Sequence, residues 1–147
     1  MTNLLIDTGK RRLIVLLLLA GWIGSLLLPA ITLNNDPAAG PQVLSGAFVL
    51  CWGWIHLIIP QFGWLANPAL WLVLILLARS SPGRIALRVG GVLLLITALH
   101  TVDLLLRPDY YQFEGAHPGY WLWMAVNLAA ALTAIFLSLH TPAKGPA

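Results

Sequence analysis

The chain has little charge and almost no cysteine. Only 9% of its 147 residues are charged, against about a quarter in an average soluble protein, and 59% are hydrophobic. Cys51 is the single cysteine, which excludes an intrachain disulfide and a cysteine-based metal cluster. At this length we expect one domain, residues 1–147, without a separate catalytic module.

Motifs for common chemistry are missing as well. The sequence contains no glycine-rich phosphate loop, no serine or cysteine nucleophile motif, no His-Glu-x-x-His and no Cys-x-x-Cys-His. Its basic residues are not interleaved with aromatic ones, as they are on many nucleic-acid-binding surfaces. We therefore predict a protein that is not an enzyme and does not bind nucleic acid.

What the chain does have is long uncharged stretches, and these predict an all-α integral membrane protein. A helix needs about 20 apolar residues to span a bilayer. The predicted architecture is four transmembrane helices plus one re-entrant or interfacial helix, with five transmembrane helices as the alternative. The predicted spans are residues 13–33, 62–79, 85–106 and 119–139, and the re-entrant or interfacial helix is residues 43–59.

The distribution of bases decides between four and five spans. Residues 37–78 contain no Asp, Glu, Lys or Arg, which leaves room for one crossing or two. With one crossing, seven of the eight bases share a side and only Arg107 lies opposite; with two, the split is four to four. The seven are Lys10, Arg11, Arg12, Arg79, Arg84, Arg88 and Lys144. Because bases beside spans stay in the cytoplasm, four spans are favoured.

This topology predicts a multi-pass protein of the bacterial inner (plasma) membrane with cytoplasmic N- and C-termini. Four of the five acidic residues then lie in or beside the outer loops: Asp36, Asp103, Asp109 and Glu114. Trp52 and Trp54, within residues 43–59, are suited to the outer membrane–water boundary.

Polar residues near the predicted outer boundary form the main candidate functional cluster. They are His100, Asp103, Asp109, Glu114 and His117. Imidazole and carboxylate groups ligate divalent metals and relay protons, although the spacing matches no metal-site signature. The alternative is an ordinary span end that meets water, with Asp103 capping the helix or paired with Arg107.

Two histidines in apolar segments, His56 and His100, are candidate haem ligands, because b-type haem takes two axial imidazoles at similar depth. The sequence does not fix the depth of His56. We therefore predict no cofactor and no metal, and keep haem or a divalent metal as alternatives.

The last span carries two features suited to helix packing. Asn127 is expected to bond across to His100 and Thr97, so that replacing it by leucine weakens helix association. Small residues at four-residue intervals, which let another helix approach closely, are Ala130, Ala134 and Ser138.

The most distinctive short sequence motif is Gly53-Trp54-Ile55-His56 followed by Trp64-Leu65-Ala66-Asn67-Pro68. Over about twenty residues it resembles uncharacterised small bacterial polytopic membrane proteins. That resemblance implies a topology and transfers no activity. From the residues themselves, Pro68 is suited to the first turn of a helix.

Three functions fit these observations. The one we favour is a small accessory or scaffolding subunit of an inner-membrane assembly that contacts another integral membrane protein, or a second copy of itself, through its helices. A small oligomeric transporter or cofactor-binding membrane protein would use His56, His100, Asp103 and Asn127. An immunity-type protein against a pore-forming toxin would use the outer loops, residues 34–42 and 107–118.

Overall fold

The computed structural model of the protein describes residues 8–34, 38, 40–57 and 61–141, without the side chains of 56 and 57. This part of the chain is mostly helical, as predicted, but a small sheet shows that the all-α prediction was wrong. The elements are α1 (Thr8–Leu27), β1 (Pro29–Leu33), β2 (Gln42–Ser45), α2 (Gly46–Trp52), α3 (Ala66–Ala78), α4 (Arg84–His100), α5 (Asp103–Leu106), α6 (Pro108–Tyr111), β3 (Phe113–Ala116) and α7 (Pro118–His140). Two 3-10 helices, Gly53–Leu57 and Phe62–Leu65, lie between α2 and α3.

Helix α1 ends earlier than the span predicted over residues 13–33. It stops at Leu27, just before Pro29, because the residue that precedes a proline disfavours helical backbone. The β-branched residues Ile31 and Thr32 then favour an extended chain, and this segment forms β1. The part expected to complete a membrane span is instead the first strand of the sheet.

Strand β1 is the central strand and pairs antiparallel with both β2 and β3. Ile31 lies opposite Leu44 of β2 on one side and Ala116 of β3 on the other. Every residue of β1 after Pro29 is buried. The sheet therefore ties the end of α1 to the start of α2 and to the start of α7.

The helix predicted over residues 43–59 is also different in the structure. Residues up to Ser45 form β2, and the Ser45 hydroxyl oxygen then caps α2 by accepting a hydrogen bond from Phe48 N. Helix α2 contains no buried residue and passes into a 3-10 helix at Gly53. Residues 58–60, which include part of the turn expected before the second span, lie outside the described residues.

Within the part of the chain that the structure describes, two helical segments are long and apolar enough to cross a membrane. They are α7 and the 23-residue segment Arg84–Leu106, which comprises α4 and α5, and they coincide closely with the spans predicted at 119–139 and 85–106. The span predicted at 62–79 is a shorter apolar segment, Phe62–Ala78, made of a 3-10 helix and α3. By helix length and composition alone, the structure supports two of the four predicted spans.

Helices α4 and α7 make the most extensive helix–helix contact among the described elements, and they approach closely at Gly91. A Cβ atom at Gly91 would lie 2.9 Å from both Ala131 O and Ile135 Cγ1, so only glycine fits there without a shift. The small residues of α7 are completely buried: Ala130, Ala134 and Ser138. Since Gly91 packs against Ala134 as well, this stripe packs inside the chain and is not available to a partner helix.

The bases of α1 and α4, and Arg79 directly after α3, lie at one end of the bundle, which we call the basic end. Arg11 Nη2 donates hydrogen bonds to Arg79 O (2.8 Å) and Ser80 O (2.7 Å), and so joins the start of α1 to the end of α3. Helix α4 begins nearby at Arg84 and carries Arg88 one turn later. The sheet closes the opposite end, which we call the sheet end.

The outward faces of the long helices are apolar. Large exposed side chains include Leu13, Leu16 and Leu17 of α1, Trp71, Leu72 and Ile75 of α3, Val89, Val92, Leu93 and Ile96 of α4, and Leu132, Phe136 and Leu139 of α7. Soluble monomers rarely expose continuous apolar surface on this scale. The surface between the two ends is therefore suited to contact with lipid.

We expect Gly91→Ala to lower the stability of the protein, because the added methyl group would overlap the Ala131 carbonyl on α7. Overpacking of this kind costs about 1–3 kcal/mol. Gly90→Ala is the matched control, since it changes helix propensity equally and its Cβ would meet only the side chains of Leu76 (3.3 Å) and Val73 (3.5 Å). Thermal unfolding in mild detergent measures both, and equal melting temperatures would contradict the close α4–α7 packing.

Candidate functional site

The predicted polar residues lie near the sheet end but take separate partners. Asp103 accepts a hydrogen bond from the Tyr111 hydroxyl (2.7 Å) and pairs with Arg107 (Nε to Oδ1, 3.0 Å). Burial of the phenol, together with its hydrogen bond to Asp103, raises the pKa of Tyr111 to about 12. The phenol therefore keeps its proton and continues to donate at neutral pH.

Glu114 and His117 hold β1 in place. Asn34 Nδ2 donates to Glu114 Oε1 (2.8 Å), and Thr32 Oγ1 lies 2.6 Å from His117 Nε2. These contacts connect β1 and the residue after it to β3 and to the start of α7. Asp109 lies in the first turn of α6.

The part of the chain that the structure describes contains no group of three His, Cys, Asp or Glu side chains that could hold a metal ion. His100 Nδ1 lies 3.1 Å from Gln61 Oε1, and its ring packs edge-on against Phe62. The side chain of His56, the second candidate haem ligand, lies outside the described residues.

The predicted bond from Asn127 to Thr97 and His100 is wrong. Asn127 Nδ2 donates to Trp123 O (2.8 Å) in its own helix, and Thr97 Oγ1 likewise donates to Leu93 O (2.9 Å) in its own. Polar side chains in a helix often bond a carbonyl one turn earlier in the same helix, which competes with contacts to a facing helix. Asn127 is nevertheless completely buried, and its Oδ1 has no hydrogen-bond partner.

Asn67, from the Trp-Leu-Ala-Asn-Pro stretch, joins three helices. Its Oδ1 accepts hydrogen bonds from Trp22 Nε1 of α1 (3.3 Å) and Trp123 Nε1 of α7 (3.0 Å), and its Nδ2 donates to Trp64 O (3.2 Å). The sequence motif predicts the start of a helix. In the structure its asparagine also links that helix to α1 and α7. Sequence patterns did not indicate it, because the partners are 45 and 56 residues away.

A cavity of about 140 Å³ lies beneath the sheet and was not predicted. Its walls are mostly apolar. They come from α1, the elements from β1 to the start of α3, the segment from Thr101 to Tyr111, and the start of α7. Examples are Leu26, Ile31, Leu44, Val49 and Trp64. Gln61, Asn67 and Thr101 are among the polar side chains that line it. Because these residues are scattered along the sequence, only the tertiary fold brings them together.

Gln61 is a wall residue with unused hydrogen-bonding capacity. It is only 5% exposed, and its Oε1 accepts a hydrogen bond from Gly63 N (2.8 Å). Because a backbone N–H can only donate, this contact fixes which end of the amide carries the oxygen. The other end, Nε2, is buried without a hydrogen-bond partner.

A surface segment, Gly46–Ile55, covers one side of the cavity. It comprises α2 and the first residues of the following 3-10 helix, and it exposes large side chains: Phe48, Trp52, Trp54 and Ile55. Cys51 is exposed on the same helix. The segment is fastened by Trp64 Nε1, which donates to Leu50 O (2.9 Å), and by Gly46 N, which donates to Leu28 O (3.0 Å).

Comparison of the chain with protein-family models, curated proteins and solved structures finds no match. The resemblance of residues 53–68 to small bacterial membrane proteins therefore stays a prediction. Function is inferred below from the contacts, burial and charges of the chain itself.

We expect Asn127→Leu to stabilise the protein modestly, the reverse of the expectation from sequence. An unpaired buried polar atom costs about 1–3 kcal/mol, and leucine removes it while keeping the branched shape and the number of heavy atoms of the side chain. Asn67→Leu is the contrasting variant and should destabilise, since it leaves the indole N–H groups of Trp22 and Trp123 without an acceptor. Both are compared by thermal unfolding in one detergent; a lower melting temperature for Asn127→Leu than for the parent would show that Oδ1 has an essential partner.

Proposed function

We propose that α1, α3, α4 and α7 all cross the inner membrane of a bacterium, with both termini in the cytoplasm. The clustering of bases at the basic end supports this orientation, since Lys and Arg at span ends are retained in the cytoplasm. The segment Phe62–Ala78 is about 28 Å long at the rises of 3-10 and α-helix, close to the roughly 30 Å of a hydrocarbon core. The sheet then lies at the outer boundary.

We further propose that the protein is an accessory subunit of a larger membrane assembly and carries out no reaction itself. Most of its polar side chains near the sheet end are hydrogen-bonded to one another, and its small-residue stripe packs against α4. Neither set is therefore left for a reaction or a partner. The surface segment differs, because it adds almost nothing to the buried core. Its function is then to present a surface.

The observation that carries this proposal is the exposure of three aromatic rings on the surface segment. Phe48, Trp52 and Trp54 are 46%, 55% and 49% exposed. Tryptophan is enriched among the residues that dominate binding at protein interfaces. It also favours lipid headgroups, so lipid is the competing occupant of this surface.

Cys51, the single cysteine of the chain, lies on that surface, so a cross-linker attached to it can identify the molecule that contacts the surface. We expect a thiol-linked benzophenone on Cys51, photoactivated in native membranes, to cross-link the chain to one integral membrane protein in high yield. The expected product is a discrete band of higher mass that contains a second, identifiable polypeptide, or a second copy of this chain.

The matched control moves the cysteine to a face that packs against lipid, as Cys51→Ser combined with Val92→Cys on α4, where Val92 is 40% exposed. This variant should give lipid adducts only. Lipid adducts alone from Cys51 as well would contradict the subunit proposal and would show that the surface segment rests in the headgroup region.

A further inference from the structure

We infer that the cavity beneath the sheet binds a lipid-soluble molecule bearing an uncharged carbonyl group, whose oxygen accepts a hydrogen bond from Gln61 Nε2. This site shares Phe48 and Trp52 with the protein-binding surface proposed above, but its hydrogen-bonding group, Gln61, is buried, so either site could exist without the other. Size, opening and polarity of the cavity each bear on the class of ligand.

The size of the cavity admits a ring or a short length of chain. At about 140 Å³ it is close to the apolar cavity of roughly 150 Å³ that holds benzene in an engineered protein. A larger molecule would have to place one end inside and leave the remainder outside. The ligand is therefore an elongated molecule with a compact end that enters.

The cavity opens at the surface segment. Phe48 and Trp52 line it and are also about half exposed, so these two side chains form its rim. A tail leaving at this rim would run along an apolar surface at the sheet end of the bundle. That surface is suited to a lipid-soluble molecule.

Polarity selects the head of the ligand. No charged side chain is among the described residues that line the cavity, which disfavours a charged head. Most polar wall groups are already bonded: Thr101 Oγ1 donates to Ala98 O (2.7 Å) and Asn67 Oδ1 accepts from two indoles. Of the buried wall atoms described, Gln61 Nε2 alone lacks a partner, and it can only donate.

An acceptor oxygen on the ligand would satisfy that donor. An amide N–H buried without a partner is costly, whereas a carbonyl oxygen at hydrogen-bonding distance removes the cost. A quinone ring and the ester of a glycerolipid both offer a carbonyl on an apolar molecule. The inference is for this shared chemistry, and the experiment separates the two sources.

The test uses the full chain in detergent and follows tryptophan fluorescence, because Trp52, Trp64 and Trp123 line the cavity. One arm titrates decyl-benzoquinone and the other a brominated diacylglycerol, since quinones and bromine both quench indole emission. We expect saturable quenching by at least one probe. Saturation by the first only indicates a quinone-like ligand, and saturation by the second indicates a lipid ester.

Two variants test the role of the cavity. Gln61→Glu keeps the oxygen that accepts from Gly63 N, and its carboxylate has no donor, so at a pH where this side chain is ionised we expect binding to weaken about tenfold or more. Gln112→Glu, the same chemical change at an exposed residue, should leave affinity unchanged. Val49→Phe fills the cavity from α2 and should abolish saturation while Gln61 stays intact.

Each remaining outcome overturns the inference. Quenching that never saturates shows that the probes dissolve in detergent and do not enter a site. Equal affinity in Gln61→Glu and the parent shows that the amide does not hold the ligand. Unchanged binding in Val49→Phe, with unchanged thermal unfolding, places the probe outside the cavity.

Discussion

Buried backbone N–H and C=O groups must find hydrogen-bond partners inside the protein, and the placement of β1 between two other strands meets that requirement. Pro29 ends α1 before the chain has left the apolar region, so the extended residues that follow need hydrogen bonds from elsewhere. Strands β2 and β3 supply them on both sides. Because β2 leads directly into α2 and β3 leads into α7, those pairings also position the starts of both helices. The sheet covers the cavity on one side.

The helices could be anticipated from sequence because their signals are local. The Arg84–Leu106 segment and α7 each contain enough consecutive apolar residues to identify a span, and the bases that mark the basic end are neighbours of those spans. The sheet could not be anticipated. Its strands are four or five residues long, and Ile31 meets Leu44 and Ala116 through pairings that no local pattern encodes.

The hydrogen-bond partners of the polar residues were harder to predict from sequence than the end of the bundle at which these residues lie. His100, Asp103, Glu114 and His117 do lie towards the sheet end, yet each bonds a polar residue that the sequence did not link to it, except for Asp103 with Arg107. Asn127 donates to the Trp123 carbonyl in its own helix, a local bond that competes with contacts between helices. The cavity could not be predicted from sequence, because its wall residues are scattered along the chain and none belongs to a recognisable binding motif.

The central claim is that the basic end faces the cytoplasm and the sheet end faces outward. Single cysteines at Arg84→Cys and Asp109→Cys, both exposed, in a Cys51→Ser background test it with a membrane-impermeant maleimide on cells whose outer membrane has been opened. We predict that position 109 is labelled while the inner membrane is intact and position 84 only after it is permeabilised. Labelling of position 84 with the inner membrane intact would contradict the account.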